Sequence, residues 1–360
     1  MTRPYCKAPW VSVSYMPGGK FAPCCQWNGK FFDSVEEMTA TVGGKFLAGE
    51  VPAECSAACP VGLPGYRRNF KPYATDYHAH SIQFLDFRNN NMCNLKCRSC
   101  GPQFSTSWAS EADQTIIHKF DPIAIDSIDL SNCRKIYFAG GEPLLNPQHY
   151  ELLNLLLAQN LSPEIMYSTN TTVLQYKDQS VKDLWPKFKR VQVFSSIDAV
   201  GSAAEAIRSG TVWTDVEQNL QWIRSQSNIV LNIATVISAV NIWWMQDLLD
   251  YVDNWLLEEN FMPVLAYANG PVGLGIIPGS YKKLLIDMLQ KSRFSKAPAM
   301  QAAVFALNSQ SSNSADWHKF LSQQMILDHK RKESWFAMLP ATVKDQVYQD
   351  LIHGKTQHIQ

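Results

Sequence analysis

No run in the 360 residues approaches the ~20 consecutive apolar residues of a membrane-spanning helix. An excess of one charge is missing too, since 32 Lys plus Arg balance 32 Asp plus Glu. Attachment to nucleic acid or to an anionic membrane by bulk charge is thereby excluded, although a local basic patch is not. The opening residues, Met1 to Trp10, lack the apolar core of a signal peptide, so a reducing cytoplasm is the expected compartment. There is no Walker loop, nucleophile elbow or HExxH pair, and the 8 histidines are scattered without metal-ligand spacing. Internal repeats and low-complexity tracts are absent as well. What remains is a chain with 46% hydrophobic and 18% charged residues, enough to build a sizeable core and too apolar for wholesale disorder.

Cysteine is what the sequence has in plenty. Of 9 cysteines, all but Cys133 fall within the first 100 residues. In a reducing compartment such clusters serve more often as metal ligands or catalytic groups than as disulfides. Residues 1–80 are rich in Pro, Gly, Cys and aromatics, and hold one helical candidate, Ser34–Val42, with Asp33 or Ser34 to cap it. A segment with so little core of its own needs a staple, and its cysteines are the candidates. From residue 81 the texture changes. Ser81–Phe87, Arg134–Ala139, Glu164–Ser168, Arg190–Ser195, Asn228–Thr235 and Met262–Tyr267 are short runs rich in β-branched and aromatic residues. Helical patterns such as Asn146–Gln159 and Asn241–Leu257 lie between them, so the alternation predicts an α/β fold with a parallel sheet. After Pro278 the pattern is helical: Tyr281–Lys291, Ala299–Leu307, Trp317–Asp328 and Val343–Ile352. The expected organisation is a loop-rich module over 1–80, an α/β unit over 81–275 and a helical extension over 276–360.

The first strand is followed by Arg88-Asn-Asn-Asn-Met-Cys93-Asn-Leu-Lys-Cys97-Arg-Ser-Cys100, a C-x-x-x-C-x-x-C spacing. A closed zinc site wants a fourth ligand, and no second cysteine or histidine pair follows downstream. Three thiolates suit a centre left open at one position, and iron–sulfur clusters accept such ligation. A zinc knuckle completed by Cys133, His78 or His80 is the alternative.

This spacing resembles the signature of the radical S-adenosylmethionine superfamily. The resemblance implies a partial (β/α)6, TIM-like barrel in which Cys93, Cys97 and Cys100 hold a [4Fe–4S] cluster. S-adenosylmethionine would then bind the fourth iron, and its reductive cleavage would yield a 5′-deoxyadenosyl radical that abstracts a substrate hydrogen. The residue before the third cysteine is often aromatic in that superfamily and is Ser99 here. Other strand ends fit. Gly140-Gly141-Glu142-Pro143 matches the stretch that meets the methionine amino group, and Ser168 and Asn170 follow the third strand. Ser196 and Asp198 follow the fourth, and Arg208 matches an arginine that meets the methionine carboxylate.

Cys6 is followed by Gly19 and Cys24 in a C-x12-G-x4-C spacing, and Cys55 and Cys59 close the segment. This resembles SPASM and twitch auxiliary-cluster modules, which implies a second [4Fe–4S] cluster on Cys6, Cys24, Cys55 and Cys59. The choice of Cys24 over its neighbour Cys25 rests on the glycine spacing, and zinc on the same thiolates is the alternative. Cys133 reads as a buried small hydrophobe, the tryptophans as core, and Arg67 and Arg68 with Lys71 as a solvated basic turn or a contact for an acidic substrate. The expected activity is an oxidoreductase-like radical reaction on a peptide or protein side chain, with a nucleoside, sugar or other small molecule as the alternative. A zinc-binding interaction protein is the non-enzymatic alternative. A flavodoxin or ferredoxin would supply the electron, and neither membrane nor nucleic acid is expected as a partner.

Overall fold

The computed structural model describes residues 5–55, 59, 65–112, 124–125, 128–253, 261–265, 271–309 and 314–357. Its main element is an eight-stranded sheet. In chain order the strands are β1 (Ser12–Met16), β2 (Lys20–Ala22), β3 (Phe84–Phe87), β4 (Lys135–Phe138), β5 (Glu164–Thr169), β6 (Val191–Ser196), β7 (Ile229–Ile237) and β8 (Phe261–Leu265). They lie side by side as β8-β7-β6-β5-β4-β3-β1-β2, and every pair is parallel except β1 with β2. From β3 to β8 spatial order follows chain order, as successive βα crossovers produce. The fold is mixed α/β around a parallel sheet, and each expected strand from residue 81 onward is present. β3 starts later than the apolar run suggests because Ser81 and Gln83 donate instead to the carbonyls of Trp10 and Val11, at 2.8 and 2.9 Å.

Side-chain alternation assigns the faces. Ile136, Phe138, Ile165, Tyr167, Val191 and Val193 are buried against the apolar side of α2 (Pro147–Ala158), with Leu152, Leu153 and Leu156 in the same core. The alternate residues Tyr137, Met166, Ser168, Gln192, Phe194 and Ser196 stay partly exposed on the opposite, open face. Polar side chains can therefore gather on that face, above all at the strand ends.

The first 80 residues depart from the loop-rich expectation in two ways. β1 and β2 form a hairpin through Gly18 and Gly19, both at positive φ (79° and 67°), and β1 extends the sheet beside β3. The segment also has a hydrophobic cluster of its own, in which Trp10, Phe32, Met38, Val42, Phe46, Phe70 and Tyr73 pack together. Ser34 caps the helical stretch as expected, accepting from Glu37 N–H at 3.1 Å. Toward the C-terminus α3 (Ser314–Arg331) and the helices Gly279–Lys291, Pro298–Ser309 and Ala341–Gln357 pack on the sheet's helical layer. Among the described residues no helix is long and apolar enough to cross a membrane.

Candidate active site

The cysteine turn leaves the C-terminal end of β3 and is tied down on three sides. Lys96–Cys97 pairs antiparallel with Arg208–Ser209, and Arg98 N–H donates to Ile207 O at 2.8 Å. From the start of α1 (Thr106–Glu111), Ser107 Oγ donates to Cys93 O at 2.8 Å and Trp108 Nε1 to Cys97 O at 2.9 Å. Ser105, the cap of α1, accepts from Trp108 N–H and donates to Leu95 O at 2.6 Å. The third tie comes from the end of β4. Glu142 N–H donates to Met92 O at 2.5 Å and Gly141 N–H to Asn90 O at 3.3 Å. Backbones approach so closely there that a Cβ on Gly141 would lie 2.2 Å from Met92 O, and Gly140 adopts φ 122°. The paired glycines thus hold the segment that delivers Cys93.

Cys93, Cys97 and Cys100 line one cavity of about 310 Å³ at the open mouth of β3–β6. Gly140, Gly141, Glu142, Ser168, Asn170, Ser196 and Arg208, singled out in the sequence, line the same cavity. Asp198 stands behind it. Its Oδ2 accepts from Arg208 Nε at 2.9 Å and Nη2 at 2.7 Å, and its Oδ1 accepts from Val236 N–H at 2.9 Å. Arg208 in turn points Nη1 at Cys97 Sγ, 3.7 Å away. Burial pushes the Cys93 thiol up to about 12, and charge on Cys97 and Cys100 pushes it the same way. Burial also raises Cys97 to about 11, opposed by the Arg208 cation. Without a metal centre these groups stay protonated near neutrality, and only a strong Lewis acid turns them into thiolates.

Glu142 is fully buried. Its carboxylate accepts from Thr169 Oγ1 at 2.7 Å, Asn170 N–H at 2.7 Å and Leu144 N–H at 3.1 Å. Burial nonetheless raises it to about 7, with those hydrogen bonds opposing. A cation brought beside it would restore the charged form.

The alternative fourth ligands for zinc lie at the other end of the sheet. Cys133 precedes β4, and His80 faces Ser12 O at the start of β1 at 3.4 Å. A strand's length separates them from the turn. Among the described residues no three Cys, His, Asp or Glu side chains converge on one point as ligands of a single bare ion would. A cuboidal cluster, whose protein ligands sit at separate corners, does not need such convergence, and three cysteines are the donor set it takes.

A family profile described as a 4Fe-4S single cluster domain matches residues 89–203, the stretch that holds the turn and most of the strand ends. Five curated proteins also match, all named GTP 3',8-cyclase. Over residues 89–203 the chain is thus similar to a 4Fe-4S cluster domain, and the curated proteins it matches are enzymes. The relative from Helicobacter pylori (strain ATCC 700392 / 26695) is 22% identical over 214 residues, 58% of this chain and 63% of the relative. The one from Streptomyces coelicolor is 32% identical over 82 residues, 22% of this chain and 23% of the relative. The chain thus spans less than two thirds of the length of these relatives. Among solved structures, native anSMEcpe with bound AdoMet and Cp18Cys peptide is 17% identical, with a TM-score of 0.37, over 68% of this chain and 65% of that one. Streptococcus suis SuiB bound to precursor peptide SuiA is 13% identical, with a TM-score of 0.36, over 83% and 61%.

A second thiol group stands in the N-terminal segment. Cys6, Cys24, Cys55 and Cys59 line one pocket with Tyr5, Trp27 and Arg67. Ala8 N–H points at Cys6 Sγ at 3.4 Å, and Arg67 N–H at Cys59 Sγ at 3.2 Å. Burial drives Cys6 up to about 12 and Cys55 to about 11, each pushed further by the neighbouring thiols. Cys25 does not join them: it hydrogen-bonds Tyr66 and feels the charges of Asp86 and Arg88. Arg67 is not the solvated turn residue expected, because its guanidinium lies 4.3 Å from the Tyr5 ring centroid. Sequence reasoning passed over Arg88, which also lines the main cavity, and Arg98, buried behind it. The one legible signal was Asp86, a charge set in an otherwise apolar strand.

Proposed function

We propose that this enzyme cleaves S-adenosylmethionine reductively at the Cys93/Cys97/Cys100 turn and uses the product to abstract hydrogen from a substrate. The observation that carries the reading is that three thiols and the Gly140-Gly141-Glu142 corner share one cavity at the ends of consecutive parallel strands, where βα sheets place their chemistry. Cys93, Cys97 and Cys100 would hold a [4Fe–4S] cluster, and among the described residues the cavity wall carries no fourth thiol, which suits S-adenosylmethionine at the remaining iron. When bound, the cluster supplies the electron that splits S-adenosylmethionine into methionine and a 5′-deoxyadenosyl radical. The chain's own residues do the positioning. Glu142 keeps acceptor capacity for the ammonium of the methionine moiety, Arg208 offers a buried cation for its carboxylate, and Ser168, Asn170 and Ser196 offer hydroxyl and amide groups to the ribose.

The four thiols of the N-terminal pocket would hold a second [4Fe–4S] cluster through Cys6, Cys24, Cys55 and Cys59, a closed set suited to electron transfer. For the substrate, the shared name of the curated relatives supports a nucleotide-class small molecule. The peptide side chain is the second reading, supported by the SPASM-like spacing of Cys6, Gly19 and Cys24.

Anaerobic reconstitution tests both centres. Wild-type protein is expected to carry about eight iron and eight sulfide per chain. Cys97→Ala should fall to about half that iron and form no 5′-deoxyadenosine with dithionite. Cys24→Ala should also lose iron, and Cys25→Ala should not. Full cleavage by Cys97→Ala, or stoichiometric zinc in place of iron, would sink the reading.

A further inference from the structure

We propose that Asp86 and Arg88 form a receptor for a substrate oxyanion, a carboxylate or a phosphate group, at the edge of the candidate active-site cavity. The proposal rests on the reading of that cavity as the site of radical chemistry, and adds what the substrate must carry.

Asp86 is fully buried on β3, and a carboxylate there must be paired. Both of its oxygens are taken by Arg88, Oδ1 by Nε at 2.7 Å and Oδ2 by Nη2 at 2.8 Å. This two-point grip fixes the plane of the guanidinium and leaves Nη1 without a protein partner among the described residues. Arg88 lines the cavity, with its side chain 23% exposed against 0% for Asp86. The ring of Tyr137, 5.7 Å from the guanidinium carbon, holds it from one side, and Tyr137 OH hydrogen-bonds Ser168 Oγ at 2.6 Å on the same cavity wall. An aimed guanidinium edge on the same cavity wall as the Ser168 hydroxyl is an arrangement that recognises planar or tetrahedral oxyanions. A purely structural explanation is weaker, since a buried ion pair gives little net stability over an apolar one.

Position argues the same way. The pair faces Cys25 and Tyr66 of the N-terminal segment, while the adjacent Cys24 turns into the four-thiol pocket. An oxyanion held by Arg88 would thus lie at the seam between the two thiol groups, with the rest of its molecule directed into the cavity.

The test is calorimetric titration of the reconstituted holoenzyme, with S-adenosylmethionine present, using pyrophosphate and glutarate as separate probes. One probe should bind wild type in the millimolar range or tighter, and which one names the oxyanion as phosphate or carboxylate. Arg88→Gln should weaken that binding by about tenfold or more. Arg88→Lys, which keeps the charge but not the fork, should fall between, and it covers the case in which the glutamine variant does not fold. Asp86→Asn should also weaken binding by releasing the guanidinium. Binding of neither probe to wild type, or undiminished binding by the lysine and asparagine variants, would overturn the proposal. Dithionite-driven cleavage of S-adenosylmethionine is measured on the same wild-type sample. Cleavage without probe binding overturns the oxyanion receptor alone, and absence of cleavage overturns the reading beneath it.

Discussion

Gly141 shows how a single residue sets the cysteine turn. A methyl group there would stand 2.2 Å from the Met92 carbonyl, so Gly141→Ala must push back the backbone that delivers Cys93. The expected cost is on the order of 1–3 kcal/mol, read from the urea midpoint, together with fewer iron atoms at the turn after reconstitution. Unchanged stability and loading would show that the turn tolerates the shift. His149 makes a separate prediction about pH. It is fully buried between Phe138 and Tyr150, bonded through Nε2 to Tyr167 OH at 2.7 Å, and burial drives it down to about 3. The unfolded chain, with an ordinary histidine near ~6.5, binds the proton first as pH falls. Stability from the neutral ring is therefore complete above about 6.5 and drains away from there toward 3. Urea midpoints at pH 7.5 and 5 should show that loss in wild type and a flatter slope in His149→Phe. Equal slopes would contradict it.

At the scale of elements, α3 gives the C-terminal extension a role that no motif announced. Arg98 lies between Cys97 and Cys100 with its side chain fully buried. It donates to Ala206 O at 2.7 Å, Gln324 Oε1 at 3.2 Å and Glu333 at 2.7 Å, and pairs with Asp328. Arg331 on the same helix reaches Lys96 O at 2.7 Å and Glu111 at 2.9 Å, and lies 4.9 Å from the Trp108 ring centroid. Arg98→Met would strand Asp328 and Glu333, so it should cost somewhat under the ~3–5 kcal/mol of a fully buried broken pair. Adding Asp328→Asn and Glu333→Gln should recover part of the loss in thermal melting. No recovery would assign the loss to the turn alone.

The strands from residue 81 onward were legible in the sequence because one face of each is buried, and burial writes itself as apolar alternation. The β1–β2 hairpin was harder to read. Val13 and Tyr15 alternate with Ser12 and Ser14 and Gly18-Gly19 marks the turn, but the strand is short and set among Pro, Gly and Cys. Cys93, Cys97 and Cys100 stood out by their spacing, and Gly140–Glu142 by the family resemblance that this spacing suggested. Arg98 and the separation of Cys24 from Cys25 were not, because each depends on a partner distant in the chain, and Arg88 was not, because only the fold brings its Asp86-held guanidinium to the cavity.

Across the whole molecule, two thiol groups are tied to one sheet, one carried by the turn after β3 and one by the segment whose own strand β1 lies beside β3. Sharing a sheet edge fixes each relative to the other more firmly than a linker between separate modules would. The central claim is that the turn supplies three ligands and leaves one iron open. Electron paramagnetic resonance of the dithionite-reduced enzyme, in a Cys55→Ala/Cys59→Ala background that removes the second centre, tests it most directly. The expected spectrum is that of a single reduced [4Fe–4S] cluster whose g values move when S-adenosylmethionine is added. A cluster signal indifferent to S-adenosylmethionine, or no cluster at all, would contradict the claim.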